Sequence, residues 1–337
     1  MTPHTRAAGG SCPPAAYPPI SDYSLIGNCR SAALIGRDGA IDWLCWPRFD
    51  SNAIFAAILD QGRGGTFRIR PAGDAEIQRR YLPGTAIVET TYRTSGGACV
   101  VRDLMPVVDE RDKRTMLVPE HEILREIEGL AGEVVIEVEY APRPGFGLDS
   151  LRLVDRHGFG IWCEAGGALY LQSDIPLTIS RDGQTASGSA PVQAGQRRYL
   201  SLGFSSDGPA VIPPLGNAAR ERIERAGAWW SAWAGRCQYD GPYREAVVRS
   251  AITLKLLTFA PSGAIIAAGS IFAFLLLFAI DLFAHHGNPY MGILAYVVAP
   301  AFLFLGLFLI FVGIWLQRRH ARLSAPGTVS PLVINLS

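Results

Sequence analysis

The sequence predicts a mainly β protein: an antiparallel β-sandwich, a short helical linker and a C-terminal two-helix transmembrane hairpin. Two observations predict this order. Short strand-like runs separated by turn residues dominate up to about residue 205, a pattern typical of a sandwich. Beyond Pro261 charged residues almost vanish until Gln317, a pattern typical of membrane-spanning helices.

These observations divide the chain into five predicted segments. A Gly- and Pro-rich disordered leader at 1–17 precedes the sandwich domain at 18–210. A helical linker follows at 215–261, then two transmembrane helices within 263–317 and a cytoplasmic tail at 318–337.

The strands are predicted from turn signals and from alternation of side chains. Residues 31–35 and 40–44 flank Arg37-Asp38-Gly39, a turn sequence typical of β-hairpins. Residues 86–93 alternate with the period of two that a half-buried strand requires. Further strands are predicted at 66–70, 99–105, 133–140, 151–155, 160–163, 168–172, 177–181 and 198–204.

Two helices are predicted after the strands. The first covers residues 218–233, with Asn217 as its N-cap and charged side chains on its solvent face. The second covers residues 243–259 and ends before Pro261, because proline lacks the amide donor that a helix needs.

Residues 263–284 and 291–316 are the two apolar runs of the predicted hairpin. A helix rises about 1.5 Å per residue, so roughly 20 residues cross the hydrocarbon core. A buried helical pair in a globular core remains the alternative. Basic residues flank both outer ends and are absent from the connecting turn, which predicts that both ends lie in the cytoplasm. The predicted location is therefore the inner (cytoplasmic) membrane, with the lipid bilayer as a partner and the soluble domain facing the cytoplasm.

Composition excludes several classes of partner and cofactor. The net charge of +1 leaves no basic excess to neutralise phosphates, so no nucleic-acid partner is expected. The six cysteines form no CxxC or CxxCH motif, and free thiols in a reducing compartment are expected. The adjacent His285 and His286 have no third ligand in view. No metal site and no cofactor are therefore predicted.

Several stretches of the sequence match a known pattern. Residues 21–51 read SDYSLIGNCRSAALIGRDGAIDWLCWPRFDS. Later matches are RYLPGT at 80–85, VRDLMP at 101–106, REIEG at 125–129 and YREAVVRSAITLKLLTFAPSGAIIAA at 243–268. Together they resemble the N-terminal trehalase-like domain of the glycoside hydrolase 15 family, which contains bacterial glucoamylases, glucodextranases and trehalases.

The resemblance implies a fold and a role in carbohydrate metabolism. In that family the N-terminal domain is a β super-sandwich packed on an (α/α)6 barrel, and two barrel glutamates serve as acid and base for inverting hydrolysis. The match ends at Ala268. Neither glutamate has a counterpart in this sequence, so no catalytic residue is predicted.

The tail resembles a different kind of protein. Residues 271–319 are similar to the membrane hairpin found ahead of some multihaem c-type cytochromes, especially at 287–290 and 306–319. The haem attachment motif of those proteins is absent from this sequence.

Inverting glycosidases need two carboxyl groups roughly 6.5–9.5 Å apart. The carboxylates considered for this role are Asp42, Asp50, Asp103, Glu122, Glu126 and Glu128. Asp42 and Asp103 fall in predicted strands, and Glu126 and Glu128 are expected at solvated strand positions. None of the six is expected to be catalytic.

Trp43, Trp46, Arg48 and Asp50 are the predicted substrate-binding residues. Aromatic rings stack on sugars, and an Arg/Asp pair bonds hydroxyl groups. The alternative is that Trp43 and Phe49 belong to the sandwich core while Arg48 and Asp50 form a structural ion pair.

A second aromatic group, Trp229, Trp230 and Trp233, is interpreted as packing against the sandwich rather than as a sugar platform.

The predicted function is that of a membrane-tethered, non-catalytic accessory domain derived from a glycoside hydrolase 15-type enzyme. One alternative is an α-glucoside hydrolase completed by a partner, in which a separate polypeptide supplies the catalytic barrel and a glucoside is the ligand. The other is a membrane module of a redox chain.

Overall fold

The computed structural model describes residues 17–108, 119–149, 151–208, 212–261 and 264–265. The chain divides into two compact units at Leu257. In the second unit, the strands β16 (Thr258–Phe259) and β17 (Ala264–Ile265) pair antiparallel. Ala264 and Ile265, at the start of the first predicted apolar run, form strand β17 rather than a helix. The rest of the two predicted runs and the leader up to residue 16 lie outside the described residues.

The first unit is an antiparallel β architecture followed by two helices. Its elements are β1 (Ser24–Gly27), β2 (Ala32–Ile35), β3 (Ala40–Cys45), β4 (Ala53–Phe55), β5 (Thr66–Pro71), β6 (Glu76–Tyr81), β7 (Val88–Arg93), β8 (Gly97–Leu104), β9 (His121–Ala141), β10 (Val154–Arg156), β11 (Gly160–Glu164), β12 (Ala168–Ser173), β13 (Thr178–Ile179), β14 (Ala186–Gln193), β15 (Arg197–Ser205), α1 (Asn217–Ala234) and α2 (Arg244–Leu256). The mainly β, antiparallel prediction is confirmed.

The long strand β9 joins two sheets. Its first part pairs with β8 and β15, and its last part pairs with β5 and β14. Gly129 and Gly132 lie between the two parts. A Cβ at Gly129 would stand 2.1 Å from the carbonyl oxygen of Gln193, and one at Gly132 would stand 2.2 Å from that of Gly96. Only glycine permits this close backbone approach, which lets the strand pass from one sheet to the other.

One apolar core is shared by the two sheets. The sheet that contains β5 and β14, called the first sheet, contributes Phe67 and Ile69. The sheet that contains β8 and β15, called the second sheet, contributes Val101, Ile127 and Leu202. All five side chains are at most 1% exposed. The alternation that predicted the strands arises because one face of each sheet packs on this core.

The helices follow the sheets and differ in burial. Helix α1 buries Ala219, Ile223, Ala226 and Trp230, which recur at the three- to four-residue spacing of one helix face. The prediction that Asn217 caps α1 is wrong, because Asn217 is the first helical residue and the capping position is glycine. Helix α2 is shorter than predicted and ends at Leu256, because the chain turns into β16 before reaching Pro261.

Candidate functional site

The predicted sugar-contacting segment, residues 43–50, runs from β3 into a turn with a cis peptide bond between Trp46 and Pro47. Trp46 is 2% exposed, with its ring centroid 6.1 Å from that of His121 and 6.2 Å from that of Phe204. It belongs to the main core. In this arrangement the Trp46 ring has no face open to solvent.

Arg48 and Asp50 pair with each other at the surface. Arg48 Nε donates to Asp50 Oδ1 at 2.9 Å, and Nη2 donates to Oδ2 at 2.8 Å. Their side chains are 59% and 70% exposed. Exposed pairs contribute about 0–1 kcal/mol. The geometry is that of the ion pair considered as the alternative to a sugar contact.

Trp43 and Trp46 pack in different apolar clusters. Trp43 is half-buried and packs on a small cluster of Cys45, Ala53 and Ala56 that is separate from the main core. Its ring centroid lies 6.3 Å from that of Phe146, with 49° between the ring planes. The two predicted tryptophans therefore do not share one cluster, and Phe146, which the sequence did not point to, stands beside Trp43.

Most of the carboxylates considered for catalysis are engaged by arginines. Arg102 Nε donates to Glu89 at 2.9 Å, and its Nη1 donates to both Glu126 and Glu128 at 2.7 Å. Arg197 Nη2 lies 2.6 Å from Glu128. The prediction that Glu126 and Glu128 are solvated is wrong for Glu126, which is 3% exposed, and Glu128 is largely covered.

The arginine pairing favours the ionised form of Glu128. Burial acts to raise the pKa of Glu128, but the hydrogen bonds from Arg102 and Arg197 outweigh it and keep the pKa below its usual range. A carboxyl group that is ionised at neutral pH has no proton to donate to a leaving oxygen. Glu128 is therefore unsuited to the role of catalytic acid.

Asp103 forms an ion pair inside the protein. Arg125 is 0% exposed, and its Nε donates to Asp103 Oδ1 at 2.7 Å. The same guanidinium donates to the carbonyl oxygens of Phe67 and Gly39, each at 2.7 Å. Arg125 lies in the second sheet and these carbonyls belong to the first, so this pair links the two sheets.

Glu122 connects β9 to the first helix. Its Oε1 accepts a hydrogen bond from Ser201 at 2.6 Å and one from Arg222 of α1 at 3.1 Å. Glu122 is 2% exposed and Arg222 is 8% exposed. The pair explains how a polar residue is accommodated where α1 covers the sheet.

Asp42 accepts hydrogen bonds from two hydroxyl groups. Burial raises its pKa above the ordinary value, against the opposing effect of its hydrogen bond from Tyr23. Tyr23 donates to one carboxyl oxygen at 3.0 Å, and Thr66 donates to the other at 3.4 Å. Both oxygens therefore tie β3 to its neighbours.

The tryptophans of α1 differ in exposure. Trp230 is 1% exposed, whereas Trp229 and Trp233 are half-buried. The ring centroid of Trp230 lies 4.9 Å from that of Trp229 and 6.3 Å from that of Trp233. This burial agrees with the interpretation of Trp230 as a packing residue.

The predictions about a metal site and about transmembrane helices can be compared with the described residues only. Within the described residues, no group of three His, Cys, Asp or Glu side chains could hold a metal ion. Among those same residues, no helix is long and apolar enough to cross a membrane. Apart from Ala264 and Ile265, the predicted hairpin, with His285 and His286 in its turn, lies outside the described residues.

The chain belongs to the trehalase-like, N-terminal family, because the profile of that family matches residues 14–230. This membership confirms the resemblance found in the sequence. It relates the chain to trehalases, which are glycoside hydrolases.

Individual relatives extend this finding. The chain is 32% identical over 280 residues to a trehalase of Mycolicibacterium smegmatis, covering 75% of this chain and 40% of that protein. It is 30% identical over 274 residues to a trehalase of Mycobacterium tuberculosis, covering 75% of this chain and 39% of that protein. The chain thus spans about two-fifths of the length of these relatives.

A third relative belongs to another class. Over 68 residues the chain is 37% identical to the cytochrome c-type protein ImcH of Geobacter sulfurreducens, covering 20% of this chain and 13% of that protein.

Proposed function

We propose that this chain is a membrane-tethered, non-catalytic accessory domain of the glycoside hydrolase 15 type. The observation that supports the non-catalytic role is the state of its carboxylates. Asp103 is paired with Arg125, Glu122 with Arg222, and Glu126 and Glu128 with Arg102.

Inverting hydrolysis needs a protonated carboxyl at the leaving oxygen and an ionised one that activates water on the opposite face of the sugar. In each of these pairs the arginine occupies carboxylate oxygens that would have to meet the substrate, and for Glu128 the arginines also keep the pKa below its usual range. Sugar contact without such an acid/base pair binds substrate and transition state nearly equally, which does not accelerate the chemical step.

The full chain is therefore expected to release no glucose from trehalose, maltose or aryl glucosides above the rate in buffer. The trehalase of Mycolicibacterium smegmatis is the positive control in the same coupled glucose assay. Asp50→Asn and Trp43→Ala should leave the background unchanged. Glucose release that disappears in the Asp50→Asn variant would show that the chain is an enzyme.

The membrane tether is supported by the two apolar runs at 263–284 and 291–316 and by the basic residues at their outer ends. A cysteine introduced by Gly287→Cys, in the turn between the runs, should react with a membrane-impermeant maleimide in intact cells. Cys237 should remain unlabelled until the cells are lysed, because it belongs to the part proposed to face the cytoplasm.

Cys237 is the right internal reference for this experiment. It is partly exposed, whereas Cys45 is 3% exposed and burial raises the pKa of its thiol to about 11, so Cys45 would stay unlabelled on either side. Labelling of Cys237 in intact cells would overturn the proposed orientation. A Gly287→Cys protein that reacts only after lysis would overturn the hairpin.

A second candidate function is that of a glucoside hydrolase completed by a separate catalytic barrel. The observation that favours this candidate is a groove of about 1120 Å³. The turn after β6, the end of α1 and one side of α2 line the groove. Tyr243 at its edge is 71% exposed, and Arg249 Nε is buried with no hydrogen-bond partner in the described part of the chain. Glucose release that appears only when the remaining part of a trehalase relative is added would favour this candidate.

The similarity to a cytochrome c-type protein favours a third candidate, a membrane module of a redox chain. Neighbouring genes that encode CxxCH repeats would support it, because those motifs attach the haems that such a module would serve.

A further inference from the structure

Two Gly-Phe-Gly triplets occur in the sequence, at 145–147 and at 158–160, and they adopt different conformations. In the first, Gly145, Phe146 and Gly147 have φ angles of 64°, 60° and 77°. All three residues are therefore left-handed. In the second, Gly158 and Gly160 have positive φ angles of 84° and 86°, but the φ angle of Phe159 is not positive.

A left-handed phenylalanine is strained. The conformation costs an L-residue with a Cβ roughly 1–2 kcal/mol, and it persists only where surrounding contacts impose it. Backbone hydrogen bonds hold the turn here: Gly147 N–H donates to the carbonyl oxygens of Arg143 and Pro144, and Leu148 N–H donates to that of Gly145. The flanking positions require glycine, because a Cβ at Gly145 would stand 2.2 Å from Asp149 Oδ2 and one at Gly147 would stand 2.4 Å from the carbonyl oxygen of Arg63.

The strained turn places the Phe146 ring at the surface beside Trp43. Phe146 is 42% exposed, and the two rings meet at 49° with 6.3 Å between their centroids. Phe159 is more exposed, at 58%, yet it has no aromatic ring partner among the described residues. The first triplet thus places a partly exposed phenylalanine ring next to a partly exposed tryptophan ring, and the second triplet does not.

Two polar groups of this region, one on Trp43 and one on Asp149, have unused hydrogen-bonding capacity. In the described part of the chain, neither the indole N–H of Trp43 nor the carboxylate of Asp149 has a hydrogen-bond or ion-pair partner. The Asp149 carboxylate lies directly against Gly145, next to Phe146 in the chain. Small-ligand sites commonly combine an apolar lining with a few polar groups of this kind.

We propose that Trp43, Phe146 and Asp149 form a binding site for a pyranose ring of a glucoside. A pyranose presents C–H groups on its faces and hydroxyl groups around its edge. The C–H groups pack on the two aromatic rings, and the carboxylate and the indole N–H accept from and donate to the hydroxyls. The choice of a glucoside rests on the proposed carbohydrate function. The site itself rests on the strained turn and on the unused polar groups.

The test is isothermal titration of the full chain with trehalose, maltose and methyl α-glucoside. The protein is kept in a detergent without a sugar headgroup, because a maltoside would compete. Saturable binding with a dissociation constant of about 1 mM is expected. Phe146→Gly removes the ring and relieves the backbone strain, and the midpoint of urea unfolding of the variant checks that the fold is kept. It should weaken binding by about tenfold.

Asp149→Asn, which keeps the shape of the side chain, should weaken binding as well. The matched control is Phe159→Gly, which removes an exposed phenylalanine from the other triplet and should leave the affinity unchanged. Three results would overturn the site: no saturable binding, unchanged affinity in Phe146→Gly, or equal loss in Phe146→Gly and Phe159→Gly. Each of them is independent of the hydrolysis assay, since a chain without this site could still be catalytic or non-catalytic.

Discussion

Replacing Arg125 with methionine is expected to destabilise the first unit by about 3–5 kcal/mol. Arg125 is 0% exposed and Asp103 is 1% exposed, so the substitution leaves an unpaired carboxylate in the core. It also removes the donors that serve the carbonyl oxygens of Phe67 and Gly39. Methionine fills similar space, so the loss reports the charge and the hydrogen bonds rather than a cavity. Urea unfolding followed by tryptophan fluorescence measures it.

The double variant Arg125→Met with Asp103→Leu separates these contributions. Removing both charges eliminates the uncompensated carboxylate, so the double variant should be more stable than Arg125→Met alone. Arg48→Met breaks an exposed pair and should change the unfolding free energy by less than about 1 kcal/mol. A double variant that is less stable than Arg125→Met would contradict this explanation.

Strands whose alternation reflects one buried face were predictable from the sequence. β7 is an example, because Val88 and Tyr92 lie in the core while Thr91 and Arg93, on the other face, are more exposed. β14 was not predictable, because its sequence ASGSAPVQ consists mostly of weak strand formers. It forms because it pairs along its whole length with residues 133–140 of β9, a partner that local sequence does not reveal.

The environment of the carboxylates also depended on distant residues. Glu126 and Glu128 alternate with apolar neighbours, which is how solvated strand positions read. Their partner Arg102 lies 24 and 26 residues away in the chain, and Arg197 lies 69 residues from Glu128. Only the strand register brings these charges together on neighbouring strands.

The candidate site was predictable in one of its residues. Trp43 is part of an aromatic and charged segment that the sequence singled out. Phe146 carries no local signal beyond its two flanking glycines, and the same triplet recurs at 158–160 with a different conformation. Asp149 approaches Gly145 closely, and Arg63, which lies in a remote loop, approaches Gly147, so only glycine fits on either side of Phe146.

Trp230→Ala is expected to cost about 3–5 kcal/mol, the range for deleting a large buried aromatic side chain. Trp230 is 1% exposed and lies on the buried face of α1 with Ala219, Ile223 and Ala226. Deleting the indole leaves a cavity that the surrounding side chains fill only in part, so the lost burial is not recovered. The midpoint of urea unfolding, followed by far-UV circular dichroism, measures the loss.

Trp233→Ala is the matched control on the same helix. Its ring lies 6.3 Å from that of Trp230 but is only half-buried, so its removal transfers less apolar surface to water and leaves a space that solvent can enter. A loss clearly smaller than that of Trp230→Ala is expected. Equal losses for the two variants would mean that α1 is held by the tryptophans as a group. A negligible loss for Trp230→Ala would mean that α1 contributes little to the stability of the domain, and that the ion pair between Arg222 and Glu122 is sufficient to keep it in place.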